Sequence, residues 1–303
     1  MLHWIIDSSM TSIIKSIGKE PVLGYIDNVY FINPVKVGSM LIYRSWLARA
    51  GKSSLDIYTE IIGYSSIDRG FVMVASAKSV YVNIDQDGKP ASHNMCIEAS
   101  SSWGKRLIEY MESWHEKSLE VIRKAKEARK YEKERILRHQ ARTLRRVSTE
   151  DTMTSNIMYA GRLMLMLDEI SSIVAHSYAE SPVVTASVDQ MIFSSPIRVG
   201  DILEITASLT RTWRTSMEIE VEVRSSINKR DLKTRSYFTF VKVDESGKPR
   251  ELRPYALLTP EEVEVWEEAD LRRKARLEDL ERISKYKGLY IEYRQGDKHP
   301  YLI

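Results

Sequence analysis

His3, His93, His115, His139, His176 and His299 share no metal-ligand spacing, and the single cysteine, Cys96, has no partner for a thiolate site or an intrachain disulfide. No Gly-x-Ser-x-Gly elbow, P-loop or dinucleotide fingerprint occurs. Among the carboxylates, Asp168 stands in a stretch whose apolar residues Leu163, Met164, Leu167, Ile170 and Val174 recur at helical spacing. A carboxylate there is either a solvated group on an amphipathic helix or, beside a reacting centre, a general base. Lys52-Ser53-Ser54 and Arg214-Thr215-Ser216 fall where strands start, and serve either as ordinary turn residues or as contacts for phosphate.

A duplicated unit positions these groups. Asp27-Asn28-Val29-Tyr30-Phe31-Ile32-Asn33-Pro34-Val35-Lys36-Val37-Gly38 returns 162 residues later as Asp189-Gln190-Met191-Ile192-Phe193-Ser194-Ser195-Pro196-Ile197-Arg198-Val199-Gly200. Solenoid repeats run to roughly 20 to 50 residues, so this period is that of a whole small domain. In the second copy the pattern predicts a helix over 160–178, stopped by Ser181-Pro182, then strands over 183–193, 202–210, 215–224 and 234–243. Met217, Ile219, Val221 and Val223 alternate with Glu218, Glu220 and Glu222, which predicts an antiparallel strand with one wet face. One long helix followed by antiparallel strands is an α+β unit. The first copy follows the same order over 2–90. The expected division is a first unit over 1–101, N-terminally incomplete, a charged helical linker over 102–149, a second unit over 150–258, and a charged helix and tail over 259–303. Thr259, Pro260 and the acids after them form a helix start.

The 303 residues carry 45 Lys and Arg against 42 Asp and Glu, so no overall field demands a polyanionic partner. The linker is locally basic, through Arg123, Lys124, Lys126, Arg129, Lys130, Lys133, Arg135, Arg138, Arg142, Arg145 and Arg146. Glu127, Glu132 and Glu134 interrupt that run and it lacks the series of stacking aromatics that single-strand binding requires, which favours a solvated helix over a nucleic-acid or lipid face. No apolar run reaches about 18 residues, so no membrane span is expected. The first residues have neither a basic leader nor a small-residue cleavage site, so no signal peptide is expected either. One lone cysteine fits a reducing interior, and a cytoplasmic location is the expectation.

The second copy resembles the hotdog-fold acyl-CoA thioesterases of the tandem, cytosolic acyl-CoA hydrolase type. The likeness rests on Ala160-Gly161-Arg162-Leu163-Met164-Leu165-Met166-Leu167-Asp168-Glu169 and Val184-Thr185-Ala186-Ser187-Val188-Asp189 with Phe193, Pro196 and Gly200-Asp201. Thr215 to Val221 and Phe240 to Asp244 with Gly247-Lys248-Pro249 extend it. The resemblance implies two hotdog units, each an antiparallel sheet wrapped around a long helix, forming an intrachain pseudo-dimer. It implies hydrolysis of fatty acyl-CoA to free acid and CoA, with no cofactor, CoA being part of the substrate. Homo-oligomers are implied too, a trimer of tandem chains being one such assembly. By position, Asp168 would be the general base or nucleophile and Gly161 the close-approach backbone of the oxyanion donors. Asp7 would be the counterpart of Asp168 if one residue is inserted between it and the Asp27 motif; without the insertion Asp7 matches Glu169. Lys52, Ser53, Ser54, Arg214, Thr215 and Ser216 would lie near the CoA phosphates. The family's Asn, about fifteen residues before the helix Asp, is replaced here by Met153. In the first unit that position would precede Met1, which leaves either a later-than-natural start or a shortened unit. A catalytically degenerate protein that binds acyl-CoA as sensor or scaffold is the alternative.

Overall fold

A computed structural model describes residues 1–65, 70–128, 135–153, 155–226 and 231–285. Arg129, Lys130 and Lys133 of the basic run, and the tail from 286 with His299, lie outside the described residues. The first unit holds α1 (Leu2–Ile17), β1 (Val22–Ile26), β2 (Val29–Tyr30), β3 (Met40–Ala50), β4 (Ser54–Ser65) and β5 (Gly70–Val82), and is followed by α2 (Ser102–Ala128). Then come β6 (Gln140–Arg146), α3 (Ala160–Ala179), β7 (Val183–Val188), β8 (Met191–Ile192), β9 (Ile202–Thr212), β10 (Ser216–Ser225), β11 (Leu232–Lys242) and α4 (Pro260–Lys285).

The repeated motif is where the units cross. The sheets run β3-β4-β5-β1-β8 and β2-β7-β11-β10-β9-β6, so each unit sends its two-residue strand into the other's sheet. Tyr25 and Ile26 pair with Ile192 and Met191, while Val29 and Tyr30 pair with Val188 and Ser187. The side chain of Asn28 accepts the Gln190 N–H at 2.8 Å. Both copies of the motif end in a glycine of positive φ, 86° at Gly38 and 94° at Gly200, a turn that any side chain would strain.

One apolar core fills the space between the paired helices and the sheets. Ile5, Ile6 and Ile13 of α1 and Leu163, Met164 and Leu167 of α3 meet Ile57, Ile61, Ile219, Val221, Phe238 and Phe240, all buried. On the opposite face of the first sheet, α2 lays Trp103, Leu107, Met111 and Trp114 over Tyr25, Ala48, Tyr58 and Val80. That stripe at helical spacing makes α2 a cover for the sheet.

Two expectations are corrected. The 102–149 segment is not helical throughout, because 140–146 forms β6, which pairs with β9 from Gln140↔Ser208 to Arg146↔Ile202. Its arginines hide the strand pattern: Arg142 pairs with Glu204, and Arg145 lies 2.7 Å from Asp151. Nor is the Glu face of β10 wet. Glu218, Glu220 and Glu222 are 0%, 4% and 9% exposed, since α4 lies across that face and Arg235 reaches along it from β11. Thr259 does cap α4, accepting the Glu262 N–H at 3.2 Å.

Glu60 on β4 is buried too, and its burial pushes it from 4.5 up to about 7, against the pull of Arg44 and the Tyr58 hydroxyl. A carboxyl raised in the folded state contributes stability that is present below its unfolded value and lost as pH rises through the folded one. Glu60→Gln is therefore expected to gain about 3 kcal/mol over the parent at pH 8 and nothing below about pH 4. Urea unfolding at the two pH values measures it, and an equal effect at both would contradict it.

Candidate active site

Asp168 faces inward from the middle of α3, half-buried, and its Oδ1 accepts a hydrogen bond from the Thr185 hydroxyl at 3.0 Å. Burial raises its pKa above the ordinary carboxylate value, while the Thr185 bond and the Met1 ammonium pull it back. α1 packs against α3 along the core that the two helices share. Thr185 lies in the segment that carries the family likeness, but nothing in the spacing marked it; a threonine on β7 seventeen residues after Asp168 reaches the helix only because the strand folds back beneath it.

Asp7 sits in a different cluster. Its Oδ1 accepts a short bond from the Tyr159 hydroxyl, and its Oδ2 lies 3.1 Å from His3 Nε2. The His3 and Tyr159 rings meet edge to face at 5.8 Å. Burial first, and then the bond to Asp7, raise the tyrosine's pKa. Tyr159 is also the residue that starts α3, without a side-chain cap. Its ring lies so close over Gly161 that a Cβ there would stand 2.6 Å from it, which is why this position takes glycine. Tyr159 and His3 had no signal in the sequence, since the contact joins residues 152 apart.

The structure therefore separates Asp168 from Gly161. Seven residues along a helix rise about 10.5 Å, so both cannot address one carbonyl. With Met1 near Asp168 and Asp7 bonded to Tyr159, α1 and α3 run antiparallel, and each helix start faces the middle of the other helix. Gly161 lies with Asp7, at the Tyr159 end of α3.

The inserted residue between Asp7 and the Asp27 motif does not exist. Both helices end in a left-handed cap 162 residues apart, Gly18 and Glu180, whose N–H groups bond Ile14 and His176. Ser9 donates to the Ile5 carbonyl and Ser171 to that of Leu167, again 162 apart. Asp7 thus occupies the position of Glu169, and fully buried Ile6 that of Asp168. The first unit carries no equivalent of the Asp168 carboxylate.

Lys52-Ser53-Ser54 and Arg214-Thr215-Ser216 form the β3–β4 and β9–β10 hairpin turns. Their backbones are tied to neighbouring segments: Asn83 N–H to the Ser53 carbonyl, Lys242 N–H to that of Thr215 and Leu252 N–H to that of Arg214, at 2.8 to 3.0 Å. The Arg214 side chain is largely exposed and 3.7 Å from Glu251. None of the six bonds to Asp168, Thr185 or Asp7 among the described residues. A cleft of about 430 Å³ lies on the other side of the sheet, between α2 and α4, lined by Tyr25, Asp27, Lys78, Trp114 and Asp279. Neither Asp7 nor Asp168 lines it. Among the described residues no three His, Cys, Asp or Glu side chains cluster as a metal site, and no helix is long and apolar enough to cross a membrane.

Two α+β units that exchange strands and bury their long helices in a shared core define a double hotdog. The chain belongs to the thioesterase superfamily, whose family model matches residues 5–63 and 155–230, once in each unit. It is 33% identical over 142 residues to the protein VdlD of Helicobacter pylori, covering 45% of this chain and 79% of that one. To an uncharacterized acyl-CoA thioester hydrolase of Zymomonas mobilis it is 38% identical over 108 residues, 34% of this chain and 72% of the relative. The cytosolic acyl coenzyme A thioester hydrolase of mouse is 30% identical over 162 residues, 51% of this chain and 38% of that protein. Among solved structures, the acyl-CoA hydrolase of Staphylococcus aureus in complex with butyryl coenzyme A, coenzyme A and coenzyme A disulfide is 35% identical, with a TM-score of 0.44 over 49% of this chain and 92% of that one.

Proposed function

We propose that this protein hydrolyses acyl-CoA thioesters to free acid and CoA, with Asp168 as general base or nucleophile. The observation that carries the reading is a half-buried helix carboxylate, fixed by Thr185 and raised above the ordinary carboxylate value by its burial. As base, Asp168 takes a proton from water as the oxygen adds to the thioester carbon. The carbon–sulfur bond then breaks and the CoA sulfur leaves with that proton. Main-chain N–H groups of a helix start are the donors proposed for the oxyanion. The step balances with water alone and calls for no cofactor. Arg214 and Lys52, with the hydroxyls beside them, are the groups proposed for the CoA phosphates. The working division is a first unit over 1–101 and a second that begins with β6, in a cytoplasmic homo-oligomer.

The test is release of thiol from acyl-CoA, measured beside acyl-CoA binding. Release supports hydrolysis. Binding without release supports the sensor reading, which is favoured by Met153 standing where the family has its Asn. Thr185→Val is expected to lower kcat about tenfold or more, since a hydrogen bond to a charged group contributes about 1.5–3 kcal/mol. It should also move the acidic limb of the pH profile upward, because the hydroxyl that favours the charged carboxyl is gone. An unmoved limb would count against a positioning role for Thr185.

A further inference from the structure

The cleft between α2 and α4 takes no part in the chemistry proposed for Asp168, yet its charged groups are held in fixed places. Its floor is the first sheet. There Asp27 accepts the Tyr25 hydroxyl at 3.2 Å and the Trp114 indole N–H at 2.8 Å, and the Lys78 ammonium stands 2.7 Å away. Lys78 also lies over the Tyr110 and Trp114 rings, 5.7 and 5.6 Å from their centres. The wall from α4 is fastened to the first unit. One oxygen of Asp279 accepts Asn28 Nδ2 at 3.2 Å and the Tyr30 hydroxyl at 3.1 Å, and the other lies 2.7 Å from Arg282. Lys117 lines the wall from α2; it is exposed and, among the described residues, has no ion-pair partner.

We propose that this cleft binds a monocarboxylate with an apolar body, held between the two helices that cover the two sheets. Charge selects the head group. The lining sets Lys78, Lys117 and Arg282 against Asp27 and Asp279, an excess of one positive charge, which a single carboxylate matches. A phosphate dianion would bring one charge too many. It would also meet the carbonyl end of α4, whose last turns form that wall and carry partial negative charge. An amine is opposed by the same positive excess, and the place over the aromatic rings that would suit it is held by Lys78. The apolar body follows from Ile32, Val121 and Ile283, which line the cleft beside the charges. A volume of about 430 Å³ is in the range of small-molecule sites. Thioester hydrolysis would release an acid of this class; that link rests on the proposed function, whereas the site itself does not.

Hydrogen exchange on the full chain tests the site and locates it. Octanoate is expected to slow exchange over 110–121 and 279–283 in a saturable way, while octylamine, with the same tail and the opposite charge, leaves both stretches unchanged. Lys117→Glu turns the excess negative and should raise the octanoate concentration for half-protection about tenfold or more, as the loss of a hydrogen bond to a charged group does. Lys117 is exposed, so that variant should melt with the parent. Arg282→Gln, on the other wall, should weaken protection in the same direction. Asp168→Asn should protect the cleft as the parent does, so a failed hydrolase leaves this result standing. No protection of the two stretches by octanoate, equal protection by octylamine, tighter binding of adenosine monophosphate there, or an unmoved Lys117→Glu overturns the proposal.

Discussion

Asp168→Asn is expected to lower acyl-CoA turnover by about 10²- to 10⁴-fold, the usual cost of removing a general base. Substrate binding should survive, because the amide oxygen can still accept the Thr185 hydroxyl that now lies 3.0 Å from the carboxylate. Loss of fold is a poor explanation for such a result. The Asp168 carboxyl is raised by burial, so its contribution to stability is present below its unfolded value near 3.8 and is lost as pH rises through the raised one. A neutral Asn escapes that loss, and the variant should melt no lower than the parent at neutral pH. The active form of a base is the carboxylate, so parental kcat should fall with decreasing pH along a limb that begins above the ordinary carboxylate range. Asp7→Asn is the control: that acid is held by Tyr159 and His3, and its loss should change kcat by no more than a few-fold. Turnover that survives Asp168→Asn while Asp7→Asn abolishes it would move the reaction to the other helix start.

Duplication, helix and strand types, and the family likeness were legible because each rests on local pattern or on recurrence at one spacing. The 162-residue period located both the crossing strands and the caps of α1 and α3. What could not be read was which group faces which. Asp168 and Gly161 stand in one short segment and look like one site, yet a helix start is completed by the other unit, and only the antiparallel packing of α1 against α3 shows that. Asp7 was ambiguous for a related reason: one residue of slippage turns a position about 100° around a helix, and only the paired serine bonds of Ser9 and Ser171 remove the doubt. Charge misled in β6 and on the Glu face of β10. An Arg or Glu is mostly exposed when nothing is known of its partner, and the partners that bury these lie more than fifty residues away, as Glu204 does from Arg142 and Glu218 from Arg272.

That buried charge sets up the largest expected change in stability. Arg276 of α4 is 6% exposed and grips two acids at once. Its Nε and Nη2 donate to the Asp189 oxygens at 2.7 and 3.0 Å, and it also donates to Glu218. Burial alone would raise both carboxyls. Glu218 is nonetheless held below its ordinary value by Arg272 and Arg276, whereas Asp189 remains above it. Arg276→Ala leaves Asp189 without its bidentate partner and Glu218 with Arg272 alone, and the expected cost is about 3–5 kcal/mol, as for other broken buried pairs. Because Glu218 is depressed in the fold, its contribution is present above about 4.5 and is lost as pH falls through the folded value. The penalty of Arg276→Ala should therefore shrink in acid, where both carboxyls can take up a proton. Arg276→Lys should restore only part of the stability, since an ammonium cannot match the planar fork that spans two carboxylates. Denaturant unfolding at neutral and acidic pH measures all three effects. A loss below about 1 kcal/mol at neutral pH would mean that water reaches the pair as it does on a surface. In that case α4 would be held to the sheet by its apolar contacts alone, through Val265, Ala269 and the stacked Trp266 and Tyr255 rings.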